Sequence, residues 1–180
     1  MKKVRKIVAF VFAVGFVFCS TTAVYAADPY INYGSETGNV TVKSYSSNYN
    51  DIWVGIIDDG IAAWNDSSAN VSISTSSSSS NTIEAARYND TWYGLTTQTY
   101  YTSTGYTTKF TIQINARTIG EDATNIPNFA TSTVAHEFGH VFWLCDNPNT
   151  TKASIMKYSR DRNTMTTPQQ FDIDNVNAKY

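Results

Sequence analysis

The residues with the clearest chemical capacity are His136, Glu137 and His140, in the run His136-Glu137-Phe138-Gly139-His140. On a helix, positions i and i+4 lie one above the other, so both imidazoles leave the same face and can grip one ion. Neutral imidazole is a good ligand for zinc, with bonds of about 2.0–2.1 Å. Glu137, one residue along, stands beside such an ion instead of on it. There a carboxylate can take a proton from water that the metal has acidified and pass it to a leaving amine. His-Glu-x-x-His on a helix is therefore the pattern of a hydrolytic zinc site with the glutamate as general base. The chain has only two histidines, and both fall in this run. A catalytic zinc usually takes three protein ligands and keeps one position open. With no third histidine, the third ligand must be a carboxylate or Cys145, and Asp146 lies six residues beyond His140.

These side chains need a helix to hold them. The pattern predicts one over Thr131 to Leu144, with Thr131 or Ser132 as its cap. Val134, Phe138, Val141 and Cys145 repeat at helical spacing on the opposite face, which packs inward and turns the histidines toward a cleft. Upstream, Asn39 to Tyr45 alternates Val40 and Val42 against polar residues and reads as a strand. Tyr49 to Asn65 reads as a helix burying Trp53, Ile56, Ile57, Gly60, Ile61 and Trp64, with Asn50 or Asp51 at its start. Strands are expected over Asn70 to Ser74, Ile83 to Tyr88, Tyr93 to Tyr106 at a sheet edge, and Lys109 to Ala116. Glu121 to Asn128 reads as a loop. Thr167 to Tyr180 reads as a closing helix, capped by Thr167 with Pro168 at its first position and Phe171, Val176 and Tyr180 facing inward. This order indicates one α+β domain.

Residues 1–26 are set apart from that domain. Lys2, Lys3, Arg5 and Lys6 precede the apolar run Ile7 to Cys19, which is short of the ~20 apolar residues of a membrane-spanning helix. Val24-Tyr25-Ala26 then supplies small residues at a cleavage site, the pattern of a secretory signal peptide. The expected catalytic domain is residues 27–180, secreted, with no membrane association after cleavage. Removal of the leader takes away Cys19 as well, so Cys145 has no partner for an intramolecular disulfide. The whole chain has 180 residues, with 13 basic against 15 acidic side chains and a net charge of −2. That balance excludes the basic surface of a nucleic-acid binder. Hydrophobic residues make up 42%, enough to bury a core, and the chain is expected to be a monomer. The acidic residues are scattered, with no recognisable loop of oxygen ligands to support a calcium site.

The stretch His136 to Asp146 (HEFGHVFWLCD) resembles the extended zinc motif H-E-x-x-H-x-x-G-x-x-H/D of the metzincin metallopeptidases. Ser154-Ile155-Met156-Lys157-Tyr158 looks like the Met-turn of astacin- and serralysin-like members. The last helix resembles the Asp-containing closing helix of matrixin-like members, and Trp64-Asn65 fits the family's N-terminal half. This resemblance implies a twisted mixed sheet of about five strands with two helices, the second carrying the zinc motif. A small C-terminal subdomain with the Met-turn and closing helix would follow. It also implies that His136, His140 and Asp146 bind zinc, that Glu137 is the general base, and that Met156 forms an apolar floor beneath the metal. Tyr158 would ligate the metal or steady an oxyanion. The edge strand near Gly94 to Tyr100 would take a protein or peptide substrate by β-addition. The implied function is a secreted zinc endopeptidase of small bacterial matrixin-like or astacin-like type. The chain departs from the motif at Trp143, where the family carries the glycine that turns the chain back toward the third ligand. A bulky residue at positive φ there costs roughly 1–3 kcal/mol. That departure motivates an alternative, a non-enzymatic exported binding module of the same fold that keeps a zinc ion.

Overall fold

The computed structural model describes residues 28–43 and 50–180. The leader expected over 1–26 lies outside these residues, as do Ser44, Tyr45 and Tyr49, where the first expected strand ends and the first expected helix begins. Among the described residues the elements run β1 (Asn39–Val42), α1 (Asp51–Asn65), β2 (Ser72–Thr75), β3 (Thr82–Ala86), β4 (Gly94–Tyr100), β5 (Thr107–Asn115), α2 (Ala116–Asp122), α3 (Ile126–Val141) and α4 (Gln170–Asn177). The class is α+β with mixed sheets. No described helix is long and apolar enough to cross a membrane.

The strands form two sheets where one of about five strands was expected. β1 and β2 pair in parallel through the α1 crossover. β3 pairs in parallel with β5, and β4 runs antiparallel along the other side of β5, so β4 is an edge. Asn81 bridges the two sheets where a continuous ladder would pass. Its carbonyl accepts the Lys43 N–H at 2.8 Å. Its side-chain amide donates to the Thr41 carbonyl, and its Oδ1 accepts the Phe110 N–H, both at 2.9 Å. A side chain thus takes the place of backbone pairing and keeps these backbone groups partnered.

The helices pack against each other through a glycine. A Cβ at Gly60 would run into Val134, so only glycine lets α1 approach α3 this closely. Trp64 then reaches across and donates its indole N–H to the Ala135 carbonyl at 2.8 Å. Asn65 follows with a paired contact to Ile73 on β2, donating to its carbonyl and accepting its N–H, each at 2.8 Å. The fully covered side chains between these layers include Trp64, Phe138, Ile112, Ile114 and Val134.

Several boundaries differ from expectation. The segment after β5 makes a helix, α2, where a strand end and a loop were expected. Asn115 caps it, accepting the Arg117 N–H at 3.1 Å. Arg117 and Glu121 pair one turn apart at 3.0 Å, the spacing that supports a short helix. The helix carrying the zinc motif is therefore the third, and it starts at Ile126 instead of Thr131. Asn125 is its cap, accepting the Asn128 N–H at 3.1 Å, and Pro127 sits in the first turn where it costs no hydrogen bond. Thr131 and Ser132 are interior and buried. The closing helix is also shorter than expected. α4 begins at Gln170, and its first turn is closed by Asp172 accepting the Gln169 N–H at 2.8 Å, so neither Thr167 nor Pro168 opens it. Val176 is buried as expected, while Phe171 and Tyr180 are only partly covered.

Candidate metal centre

α3 delivers His136 and Glu137 buried and His140 nearly so, at the foot of a cleft of about 630 Å³. The ring nitrogens are divided between two tasks. His136 Nδ1 lies 3.0 Å from the Ile155 carbonyl, and His140 Nδ1 lies 2.9 Å from the Leu144 carbonyl. A carbonyl only accepts, so each Nδ1 carries a proton and each Nε2 is the nitrogen turned toward Asp146, with a lone pair available whenever the ring is neutral. Both Nε2 atoms meet Asp146 Oδ1, at 3.0 Å from His136 and 3.5 Å from His140. Donor atoms around a tetrahedral ion with bonds of about 2.0–2.1 Å lie roughly 3.3 Å apart. The two imidazole-to-carboxylate distances fall on either side of that spacing, so these three groups could hold zinc.

Glu137 is also close to the imidazoles, its carboxylate lying within 4.8 Å of their nitrogens, but it is held from another direction. Thr96 on β4 donates its hydroxyl to Glu137 Oε2 at 2.8 Å and also lies 3.0 Å from the Glu137 carbonyl. Oε1 rests against Gly94, where a Cβ would collide with it, so glycine is needed to seat the carboxylate beside the edge strand. Gln98, two residues along on the same face of β4, donates to the His140 carbonyl at 3.0 Å. Of the two acids, Asp146 has the oxygen placed among the ring nitrogens and Glu137 the one held aside.

The turn that presents Asp146 answers the question posed by Trp143. Trp143 has φ of 73°, the left-handed conformation a glycine would take here. Its N–H bonds back to the His140 carbonyl at 3.2 Å, and the Leu144 N–H to the Gly139 carbonyl at 2.9 Å, which together make a Schellman end to α3. The indole is then clamped. Its N–H donates to the Ser35 carbonyl at 2.8 Å, Gly34 lies so close beneath it that a Cβ would stand 2.6 Å from the ring, and Lys179 Nζ sits 4.8 Å from the ring centre. Residues 29–35 strap the same turn from outside. Ile31 donates to the Trp143 carbonyl, Cys145 to the Pro29 carbonyl and Ser35 to the Val141 carbonyl, each at 2.8 Å.

Cys145 does not face the core, as helical spacing suggested. It lies past the end of α3, half-buried, with its thiol 3.3 Å from the Asp28 carbonyl. Burial pushes its pKa up, with the Asp146 charge adding to the effect, so the thiolate needed for ligation is disfavoured.

The segment after Asp146 supports the site from below. Met156 is buried, and its sulfur lies against Gly139 of the motif, 2.5 Å from where a Cβ would stand. Asp172 on α4 holds this turn: it accepts the Ser154 hydroxyl at 2.5 Å and the Ile155 N–H at 2.7 Å. The carbonyl of that same Ile155 orients His136. Burial pushes the Asp172 carboxyl up, against donors that favour its charged form. Tyr158 stands at the rim, exposed. Burial raises its pKa, and the nearby Asp146 carboxylate raises it further, so the phenol keeps its proton.

Burial lowers the His136 pKa, outweighing the nearby Asp146 and Glu137 carboxylates, and holds the ring neutral. At His140 burial acts downward too, but contacts with Asp146 and the charge of Glu137 outweigh it and the pKa rises. Burial would raise Asp146, yet the two imidazoles hold it well below the usual carboxylate range. The electrostatics thus keep an anion between the rings.

The structure brings His136, Glu137, His140, Asp146 and Tyr158 to one cleft. Sequence reasoning missed the supporting residues Thr96, Gln98 and Asp172, and the cationic wall of Arg160 and Arg162. Thr96 and Gln98 do show the period-two spacing of one strand face. Nothing in local pattern marks the two arginines.

No family model matches the sequence, and no curated protein matches it. Solved structures do resemble it. One is high choriolytic enzyme 1 (HCE-1), a hatching enzyme zinc-protease from the medaka fish Oryzias latipes, at a TM-score of 0.51 and 12% identity, covering 81% of this chain and 92% of that one. Another is the GM1-bound form of the ECX AB5 holotoxin, at a TM-score of 0.46 and 15% identity, covering 84% of this chain and 80% of that one. At 12% identity the likeness to the hatching enzyme is one of fold alone, with which the α+β arrangement is compatible.

Proposed function

We propose that this protein is a secreted zinc endopeptidase of metzincin type, in which His136, His140 and Asp146 hold the ion and Glu137 is the general base. The observation that carries the reading is the meeting of His136 Nε2, His140 Nε2 and Asp146 Oδ1 within 3.0 and 3.5 Å, with Glu137 held beside them in an open cleft. Zinc, when bound in such a site, acidifies water and polarises a carbonyl. The chain's own groups do the rest. β4, as an edge strand, offers unpaired backbone groups to an extended peptide. Glu137 takes the proton of the attacking water at Oε1, because Oε2 is occupied by Thr96. The water oxygen bonds to the peptide carbon, the C–N bond breaks, and Glu137 returns the proton to the leaving nitrogen. Tyr158, protonated and lining the same cleft, is the group we assign to donate to the oxygen that gains charge. Export rests on the leader pattern of residues 1–26. The binding-module alternative rested on Trp143, and the left-handed turn at that residue supplies the geometry the glycine would.

Glu137→Ala should keep its zinc and lose proteolysis, by roughly 100-fold or more given what general-base catalysis contributes. The check is metal content and casein cleavage on the same preparation. A purified Glu137→Ala protein that cleaves casein as fast as the parent refutes the role.

A further inference from the structure

We propose that Arg162, backed by Arg160, binds a carboxylate of the substrate, so that the cleft selects peptides with an acidic group beside the scissile bond. This rests on the peptidase reading of the site. Both arginines line the cleft that contains His136 and Glu137. The Arg162 guanidinium carbon lies 5.1 Å from the centre of the Tyr93 ring and 5.7 Å from that of Phe129. Those two rings are edge-to-face at 4.9 Å, so the side chain rests on an aromatic shelf that restricts where it can point.

Its polar capacity is largely unspent. A guanidinium has five N–H donors in a planar fork. Arg162 has one hydrogen bond, from Nη1 to the Tyr158 carbonyl at 3.3 Å, and its buried Nε has no partner among the described residues. No carboxylate pairs with either arginine among the described residues. The nearby acids are engaged elsewhere. Asp122 accepts the Tyr93 hydroxyl at 2.7 Å, and Asp161 accepts the Asn163 N–H at 2.9 Å and the Thr164 hydroxyl at 3.0 Å. Glu137 and Asp146 belong to the metal centre. Arg160 is itself buried and among the described residues bonds only neutral groups, the Ser132 hydroxyl at 3.1 Å, the Ser132 carbonyl at 3.5 Å and the Lys157 carbonyl at 2.8 Å.

Burial pulls the pKa of Arg160 down to about 9 and lowers that of Arg162. Two partly desolvated cations that feel the Glu137 and Asp146 charges but have no ion-paired carboxylate are relieved by an incoming anion, and a planar fork favours a carboxylate that can bind it with both oxygens. The position suits a substrate side chain. Phe129, under Arg162, precedes His136 on α3 by two turns, about 10 Å along the axis at ~1.5 Å per residue. A peptide lying on β4 with its reacting carbonyl at Glu137 can extend a neighbouring side chain along this wall. Glutamate reaches farther than aspartate. A chain-terminal carboxylate offers the same chemistry.

The test uses blocked peptides that differ only beside the scissile bond, carrying Glu, its uncharged isostere Gln, or Lys, and one Gln peptide with a free C-terminal carboxylate next to that bond. Binding is measured calorimetrically on the zinc-loaded Glu137→Ala chain and kcat/KM on the parent chain. The Glu peptide should be favoured over Gln by about 10-fold or more in both assays. Arg162→Gln should bring that ratio near one, and Arg162→Glu should shift preference to the Lys peptide. Arg162→Lys, which keeps charge but not the fork, should retain part of the discrimination. Equal binding of the Glu and Gln peptides by the parent site overturns the proposal without recourse to any arginine variant. Preference for the free-terminus peptide over both blocked ones supports the carboxylate subsite and assigns the carboxylate to the chain end. A retained Glu-over-Gln binding ratio with no cleavage of any peptide refutes the peptidase reading and leaves the subsite standing.

Discussion

Trp143 concentrates the physical conflict of this site in one residue. A side chain with a Cβ at positive φ costs about 1–2 kcal/mol, and a large indole has no intrinsic reason to be there. The offset comes from what the indole touches: a carbonyl on Ser35, the face of Gly34, and the ammonium of Lys179. The backbone follows what glycine would do, and the side chain ties the N-terminal strap to the ligand turn. This predicts an inverted substitution order. Trp143→Ala loses the packing and keeps the unfavourable φ, whereas Trp143→Gly loses the packing and relieves the φ. Glycine should therefore be more stable than alanine here by about 1 kcal/mol, read from urea midpoints. Alanine equal to or better than glycine would mean that the turn is not held in the left-handed region. The two histidines, Glu137 and the spacing to Asp146 were legible in the sequence because helical period and ligand chemistry are local. The clamp on Trp143 was not, because its partners lie more than a hundred positions away in Gly34 and Ser35.

At the scale of elements, α4 supports the proposed metal centre without supplying a ligand to it. Asp172 accepts bonds from Ser154, Ile155 and Gln169, and Ile155 in turn fixes the His136 tautomer. Removing the carboxylate strands buried donors, each worth about 1–3 kcal/mol. Asp172→Ala should lose roughly 3 kcal/mol of stability and, because outer partners orient metal ligands, weaken zinc affinity by about 10-fold or more. A destabilised Asp172→Ala protein whose zinc affinity matches the parent would disconnect α4 from the site. Strand and helix identities were largely readable from alternation and from the i, i+3, i+4 stripe of α1. The boundaries were less so. α3 starts early because Asn125 outcompetes Thr131 as a cap and Pro127 fits the first turn, while Thr133 satisfies its hydroxyl inside the helix on the Phe129 carbonyl at 2.9 Å. α2 escaped notice because Ala116 to Asp122, with Gly120 inside it, carries no apolar period, and its cap, Asn115, is also the last residue of a strand.

The whole molecule holds a long C-terminal stretch, residues 142–169, that has no helix or strand. Polar contacts pin it: Asn163 accepts from the Thr124 and Asn125 N–H groups at 3.1 and 2.9 Å, Arg160 reaches Ser132 at 3.1 Å, and Asn147 donates to the Met156 carbonyl at 2.8 Å. No disulfide supports it, since Cys145 is free. The proposed ligand set joins α3 to this stretch through Asp146, so an ion bound there would act as a cross-link and its binding energy would add to folding stability. The division of the strands into two sheets was invisible to strand periodicity, which reports faces and not neighbours; it depends on the side chain of Asn81. The fold class followed from the order of elements, which composition and period do report.

The central claim, that His136, His140 and Asp146 form a zinc site, is tested most directly by metal analysis of the purified protein beside its Asp146→Ala variant. The parent should contain about one zinc per chain, and the variant should bind zinc at least about 10-fold more weakly, a first ligand costing no less than an outer partner. A folded parent that binds no zinc, or a variant with unchanged affinity, would contradict it.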